Sequence, residues 1–318
     1  MALRTLRAIR PAGKSVRAAG GHAKRKPLRK RFALAAYIAL LPMALTVVFA
    51  YLGTMLWSLR TSFTNSRTFA SNSFAGVSQY VRLFNNDRWM LSLQNIVIYG
   101  VLFIVICLAI GLLLAVFIDQ KVMAEGALRT VFLYPYAMSF VATGLVWQWI
   151  LNPELGIQEV LHRIGFTHAR FDWIVDQDRV IYTLVIATVW QASGLVMALL
   201  LAGLRGIDEE IWKAARLDGI PAWRVYLSIV LPMLGPTLAT VFVLLSTAVV
   251  KAFDVVIAMT QGGPGTASDL PAKFIMDHLF GRANLGLASA GAMTMLLTVL
   301  IIVSPLLYVR SRRKEGRA

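Results

Sequence analysis

The sequence predicts an all-α polytopic membrane protein, and three observations predict it. Of 318 residues 58 % are hydrophobic and only 15 % charged, with a mean hydropathy of +0.66, a balance foreign to soluble globular domains. Six apolar stretches are each long enough to cross about 30 Å of hydrocarbon. The third observation is where the charge lies. The chain carries 32 Lys+Arg against 16 Asp+Glu, but residues 1–31 hold eleven cations and no acid, and the last nine residues hold five cations beside Glu315. The body between the tails is left at a net +1. Such a distribution marks membrane flanks rather than a nucleic-acid-binding surface.

In chain order, a basic tail, 1–31, precedes a transmembrane body, 32–309, and a second basic tail, 310–318, follows it. The six spans are expected at residues 32–59, 93–118, 131–151, 180–204, 233–260 and 285–309. The first is too long for the apolar region of a signal peptide, and no small-residue cleavage pattern closes it. An even number of spans puts both tails on one side. With that side as cytoplasm, the tails and the loops around Lys121 and Lys213 hold 22 cations against 9 in the opposite loops, which favours cytoplasmic termini. The N-terminal tail then lies beside anionic membrane lipid, with no nucleic-acid partner.

Two loops are informative. Residues 152–179 contain Asn152-Pro153, Gly156, Gly165 and five acids, and are expected to form turns and short helices at the outer surface. Trp147, Trp149 and Trp173 near that boundary fit an interfacial belt. In the cytoplasmic loop 205–232, Asp208 is placed to cap a helix whose first turn holds Glu209 and Glu210. That helix should stop at Asp218-Gly219, with Gly supplying a left-handed residue, and restart after Pro221.

No catalytic or metal-binding set can be assembled. Cys107 is the only cysteine and lies in an apolar run, and His22, His162, His168 and His278 are not paired at metal-ligand spacing. Ala8 to Ser15 fits only the loosest form of a phosphate-binding loop, about 20 residues ahead of a membrane span instead of between a strand and a helix. This chain is therefore expected to be no enzyme and to hold no cofactor. Lys251 and Asp254 lie inside a span, where ionisable groups are costly and point to function; at i and i+3 they are expected to share a helix face, as a neutralising pair or as part of a solute path.

The cytoplasmic loop carries a resemblance. Ala214, Ala215, Asp218, Gly219, Ile229, Leu231 and Pro232 resemble the EAA…DGA…I.LP loop of permease subunits from binding-protein-dependent ABC importers. Phe253-Asp254 followed by Thr260 to Gly265 is similar to the FD…T.GGP segment of carbohydrate-type permeases. Trp149 to Gly156 and Trp190 to Gly194 resemble the turn after their third helix and the start of their fourth. Gly262 to Ala272 is most similar to glucose/mannose-type members. The resemblance implies the type I ABC permease fold in a bacterial cytoplasmic (inner) membrane. It implies as partners a second permease subunit, two ABC ATPase subunits that bind ATP and Mg, and an extracytoplasmic sugar-binding protein. The loop becomes a coupling helix docked on an ATPase, with Glu210, Lys213, Ala214, Ala215, Asp218, Gly219, Leu231 and Pro232 as its residues and the two alanines as a flat face. Lys213 departs from the family, which has Glu there.

By position, the same resemblance points to a solute path along Trp190, Gln191, Ala192 and Leu195 on the fourth span, and Leu245, Ala248, Val249, Lys251, Ala252 and Asp254 on the fifth. The implied function is ATP-driven sugar import by alternating access, with a monosaccharide such as glucose or mannose as solute. Import of glycerol phosphate, a polyol or an oligosaccharide is the alternative within the family. An ion-driven secondary transporter is the alternative outside it, lacking the inverted repeat and leaving the coupling loop unexplained.

Overall fold

A computed structural model describes residues 29–120, 123–168 and 170–315; most of the N-terminal basic tail, including Ala8 to Ser15 and His22, Lys121 in the first cytoplasmic loop and the last three residues lie outside them. The described residues are helical apart from turns, and their only β-feature is an isolated bridge between Thr64 and Phe74.

The chain divides into two units, 1–54 and 55–318. In the first, α1 (Arg29–Thr46) runs into wider, π-type turns at Val47–Gly53. The second begins within α2 (Thr54–Ser62) and continues through α3 (Ser78–Phe84), α4 (Asp87–Asp119), α5 (Glu125–Ala137), α6 (Phe140–Ile150) and α7 (Ile157–Arg163). Next come α8 (Val180–Arg205), α9 (Glu209–Leu217), α10 (Ala222–Val225), π-type turns at Tyr226–Val230, α11 (Leu231–Met233), α12 (Gly235–Val250) and α13 (Asp254–Met259). The chain ends with α14 (Pro271–Met276), π-type turns at Asp277–Gly281, and α15 (Leu285–Glu315).

The centre of the second unit is α4 against α8. Asn86 starts α4 by accepting from the Trp89 amide at 3.2 Å. Within lipid, helices associate through close packing, so small residues mark the contact. A Cβ on Gly111 of α4 would collide with Val196 of α8, and one on Gly194 of α8 would strike the Phe132 carbonyl of α5. Gly286 of α15 likewise lies against the Thr64 carbonyl.

Six spans are expected, and the structure supplies six when each bent helix pair counts as one. Among the described residues, four helical runs are long and apolar enough to cross a membrane without a sharp break: Tyr37–Ser62, Asp87–Asp119, Val180–Arg205 and Leu285–Ile302. The other two are bent pairs, α5 with α6 at 99° and Ala222–Met233 with α12 at 71°. Pro135 lies one turn before the first bend, Met138 is extended, and Ser139 starts a new helix by accepting from the Ala142 amide at 3.1 Å. Pro232 and Pro236 flank the second.

Candidate functional site

A cavity of about 380 Å³ opens between α4, the α5–α6 bend, α8 and the break between α12 and α13. It brings together eight of the ten residues expected on a solute path. Gln191, Ala192 and Leu195 come from α8, and Leu245, Ala248, Lys251, Ala252 and Asp254 from the α12–α13 region. Two residues stand elsewhere. Trp190 turns away and meets Trp147 edge to face at 5.9 Å. Val249 is buried toward α4, where a Cβ on Gly100 would come within 3.0 Å of it. At about 100° per residue, Trp190 stands about 200° around α8 from Ala192 and Val249 about 200° around α12 from Thr247, so neither shares the wall that these lining residues form.

Lys251 and Asp254 do not form the expected pair on one helix face. The helix ends at Val250 and restarts at Asp254, with the Phe253 amide turned onto the Lys251 carbonyl at 2.8 Å. No ion pair joins the two among the described residues, and both are exposed on the cavity wall. The break directs both polar ends into open space instead of hydrocarbon.

Sequence reasoning missed the aromatic half of this wall. Tyr99 and Phe103 of α4 stack at 5.7 Å and 4°, and Tyr136, Phe140 and Phe253 complete the rings. Tyr99 and Phe103 stand at i and i+4, a spacing visible in the sequence, but nothing there told which side of the helix would face a cavity. Gln191 is nearly buried and donates through Nε2 to the Met138 carbonyl at 2.8 Å, while its Oε1 has no partner.

The second constellation is the loop after α8. Asp208 accepts from the Glu210 amide at 3.0 Å and caps α9 as expected. The helix ends in a Schellman pattern: the Gly219 amide donates to Arg216 and the Ile220 amide to Ala215, with Gly219 at φ +66°. Trp212 and Tyr226 meet edge to face at 5.5 Å and hold the two arms together. Glu210, Lys213, Ala214, Asp218, Gly219 and Pro232 are exposed, and Leu231 is half-buried. The flat face of two alanines is corrected, because Ala215 is turned into the core and only Ala214 is presented. Leu217, 88 % exposed, and Trp223 supply the apolar part of the outward surface. Lys213 lies 3.4 Å from Glu209 one turn earlier, so its charge is balanced within α9. Below the loop, Arg205 contacts Glu125 at 2.8 Å and Asp119 at 3.6 Å, tying the ends of α8, α5 and α4.

A broken-helix cavity joined to an exposed helix-turn-helix fits a transport component, and comparison with known proteins decides which. Residues 108–314 match the family described as the binding-protein-dependent transport system inner membrane component. The chain belongs to that family. A probable ABC transporter permease protein of Pyrococcus horikoshii is 35 % identical, over 84 % of this chain and 92 % of the relative. The xylose/arabinose import permease protein XacH of Haloferax volcanii is 29 % identical over 86 % of each. In fold, the chain is similar to a solved bacterial ABC transporter involved in import of the acidic polysaccharide alginate, with a TM-score of 0.76 at 20 % identity, covering 89 % of this chain and 96 % of that one.

The permease also contains a charged clasp that sequence reading left as scattered loop residues. The Arg88 guanidinium, at the start of α4, donates to both Asp269 and Asp277. Lys273 lies 2.7 Å from Asp277 and 3.6 Å from Asp269, so two cations face two carboxylates. Asp269 is 1 % exposed, and Asn95 donates to the Ala267 and Asp269 carbonyls at 2.8 and 2.9 Å. The clasp fastens the Gly262–Gly265 loop to α4. Gly262, at φ +88°, is required, because a Cβ there would strike Asp269 and the Lys273 stem. Burial raises the Asp277 carboxyl, but hydrogen bonds from Lys273 and Arg88 outweigh it and hold the group below its ordinary value. Burial pushes His278 down, leaving a neutral ring whose Nδ1–H donates to the Phe274 carbonyl at 2.9 Å.

Proposed function

We propose that this permease imports a carbohydrate through the cavity between α4, α8 and the α12–α13 break, with glucose or mannose as the solute. The observation that carries the reading is the cavity wall itself. Stacked rings at Tyr99 and Phe103 suit the apolar face of a pyranose, while Lys251 and Asp254 offer polar groups for hydroxyls and Gln191 braces the bend behind them. About 380 Å³ lies within the size range of small-molecule sites.

Residues 32–309 act as one transmembrane domain with both basic tails in the cytoplasm, and a second permease closes the cavity. Glu210, Lys213, Ala214, Asp218, Gly219 and Pro232 form the surface on which an ATPase docks, with Ala215 and Leu231 supporting it from behind. Two ATPases hold ATP and Mg, and their closure turns the cavity toward an extracytoplasmic binding protein. Nothing is covalently changed in this chain; its residues bind, orient and admit the solute.

A second reading, import of a phosphorylated polyol, is favoured by one feature, the unpaired cation of Lys251 on the wall. One experiment separates the two. The complex is copurified from its native membrane, reconstituted with its binding protein, and assayed for ATP-dependent uptake of labelled glucose and mannose, with glycerol phosphate as competitor. Saturable hexose uptake indifferent to the phosphate supports the sugar reading; phosphate uptake without hexose uptake overturns it.

A further inference from the structure

The helix α7 is amphipathic with its polarity turned outward. Around its axis Ile157, Val160, Leu161 and Ile164 occupy one side and Gln158, Glu159, His162 and Arg163 the other. In a water-facing helix the first set would be buried. Here Val160 is 55 % and Ile164 64 % exposed, and flanking Leu155 and Phe166 are also exposed. On the polar side, Gln158 Oε1 accepts from the Phe171 amide at 2.6 Å and ties the helix to the chain, while Glu159 pairs along the helix at 2.8 Å with Arg163, which is exposed.

The position of α7 tells what covers the apolar side. The Asn152 side chain accepts from the amides of Glu154 and Leu155 at 2.8 and 3.0 Å, and the Gly156 amide returns to the Asn152 carbonyl at 2.8 Å. This reversal is so tight that a Cβ on Gly156 would collide with the carbonyl of Ile150, the last residue of α6. So α7 starts beside the end of the bent pair α5–α6, which taken as one span is long and apolar enough to cross a membrane. The side of α6 carrying Val141, Leu145 and Trp149 is itself exposed and apolar, so the elements on both sides of the Asn152–Gly156 reversal leave an apolar face open. Its outward residues offer aliphatic and ring carbon without a polar group, unlike a protein-docking patch, which mixes polar positions into its area.

We propose that α7 lies in the boundary between headgroups and acyl chains of the bilayer, with lipid covering Ile157, Val160 and Ile164. Interfacial helices of this kind bury an apolar face at that depth and keep their polar face toward headgroups or protein. Of the three boundary tryptophans expected to form a belt, only Trp149 is largely exposed; Trp147 packs on Trp190, and Trp173 stacks on Phe171 at 5.0 Å.

Collision broadening of spin labels tests the assignment. Cys107 is the only native cysteine and fully buried, so Val160→Cys and Ile164→Cys can be labelled in the copurified complex and reconstituted in phosphatidylethanolamine/phosphatidylglycerol nanodiscs. Arg163→Cys serves as the water-facing reference. Labels at 160 and 164 are expected to lose broadening by a water-soluble nickel chelate while retaining broadening by oxygen, which concentrates in lipid. Broadening by nickel at both places the face in water and overturns the proposal. Protection from both reagents, in the complex alone or after adding the binding protein, puts a protein on the face and overturns it equally. The measurement reads position and not transport, so it is independent of the solute.

Discussion

The Gln191 amide donates to the Met138 carbonyl at 2.8 Å, and Met138 is the extended residue at the 99° bend between α5 and α6. A carbonyl freed at a bend has no helix partner to return to, so losing this donor costs roughly 1–3 kcal/mol. Gln191→Ala and Gln191→Glu are both expected to lower thermal stability and to reduce the maximal rate of uptake. The solute concentration at half-maximal rate should move less, because the donor is engaged with the chain. Initial-rate uptake in proteoliposomes checks this, and a change confined to apparent affinity would return Gln191 to direct solute contact. Lys251 and Asp254 behave differently, being exposed on the wall without an ion partner. Lys251→Ala is expected to change apparent affinity and competitor preference while leaving stability within about 0.5 kcal/mol. A drop in stability of several degrees would point to an interaction that the resting arrangement lacks.

At the scale of elements, what the sequence made legible follows from the range of each signal. The end of α9 was readable because Asp218-Gly219 is a local stop, and the left-handed Gly219 with its Schellman bonds lies where that stop was expected. The break at Lys251–Phe253 was not, because residues 237–261 contain no Gly or Pro to mark it, and the helix yields there to tertiary surroundings. The bend after Pro135 had a local signal in Pro135 and Ser139 that length counting alone passes over. Of the cavity, α8 positions could be placed from motif spacing, while the rings of α4 depended on which face α8 would cover. Gly219 offers a direct element-scale test. No atom lies within 4 Å of a Cβ built there, so a substitution meets only the backbone penalty of φ +66°. That penalty is about 1–2 kcal/mol for an ordinary residue and smaller for Asn. Gly219→Val is expected to uncouple ATP hydrolysis from uptake, and Gly219→Asn to retain most of the coupling. Measuring both activities in one reconstituted sample checks it; normal uptake by the Val variant would mean that the turn is not the coupling element. Leu217→Asp, on the outward side of α9, is expected to release the ATPase on size exclusion without unfolding the permease.

Across the whole molecule, charge is handled in three places that share a logic of mutual neutralisation. Arg205, Arg129, Glu125 and Asp119 gather at the ends of α8, α5 and α4, and Lys213 is matched by Glu209 within α9. The clasp joins α4 to the 262–277 segment at long sequence range and is the most buried of the three. Its Asp269 carboxylate is almost wholly covered, so removing one cation leaves a charge in low dielectric; Lys273→Met should cost on the order of 3 kcal/mol. The same clasp sets an acid limit. The folded state holds His278 below its ordinary value of 6.5, so between that value and the lowered one the unfolded chain binds the extra proton. Stability from His278 is thus complete above about pH 6.5 and lost as pH falls through that window. Asp277 is likewise held below 3.8, so its contribution persists until the unfolded carboxylate begins to protonate and then disappears at more acidic pH. Thermal unfolding of the purified permease from pH 8 to pH 3 should show two descending limbs. His278→Gln, which cannot titrate, should flatten the first and leave the second. A first limb unchanged in that variant would assign it to another group and detach His278 from the clasp's pH response.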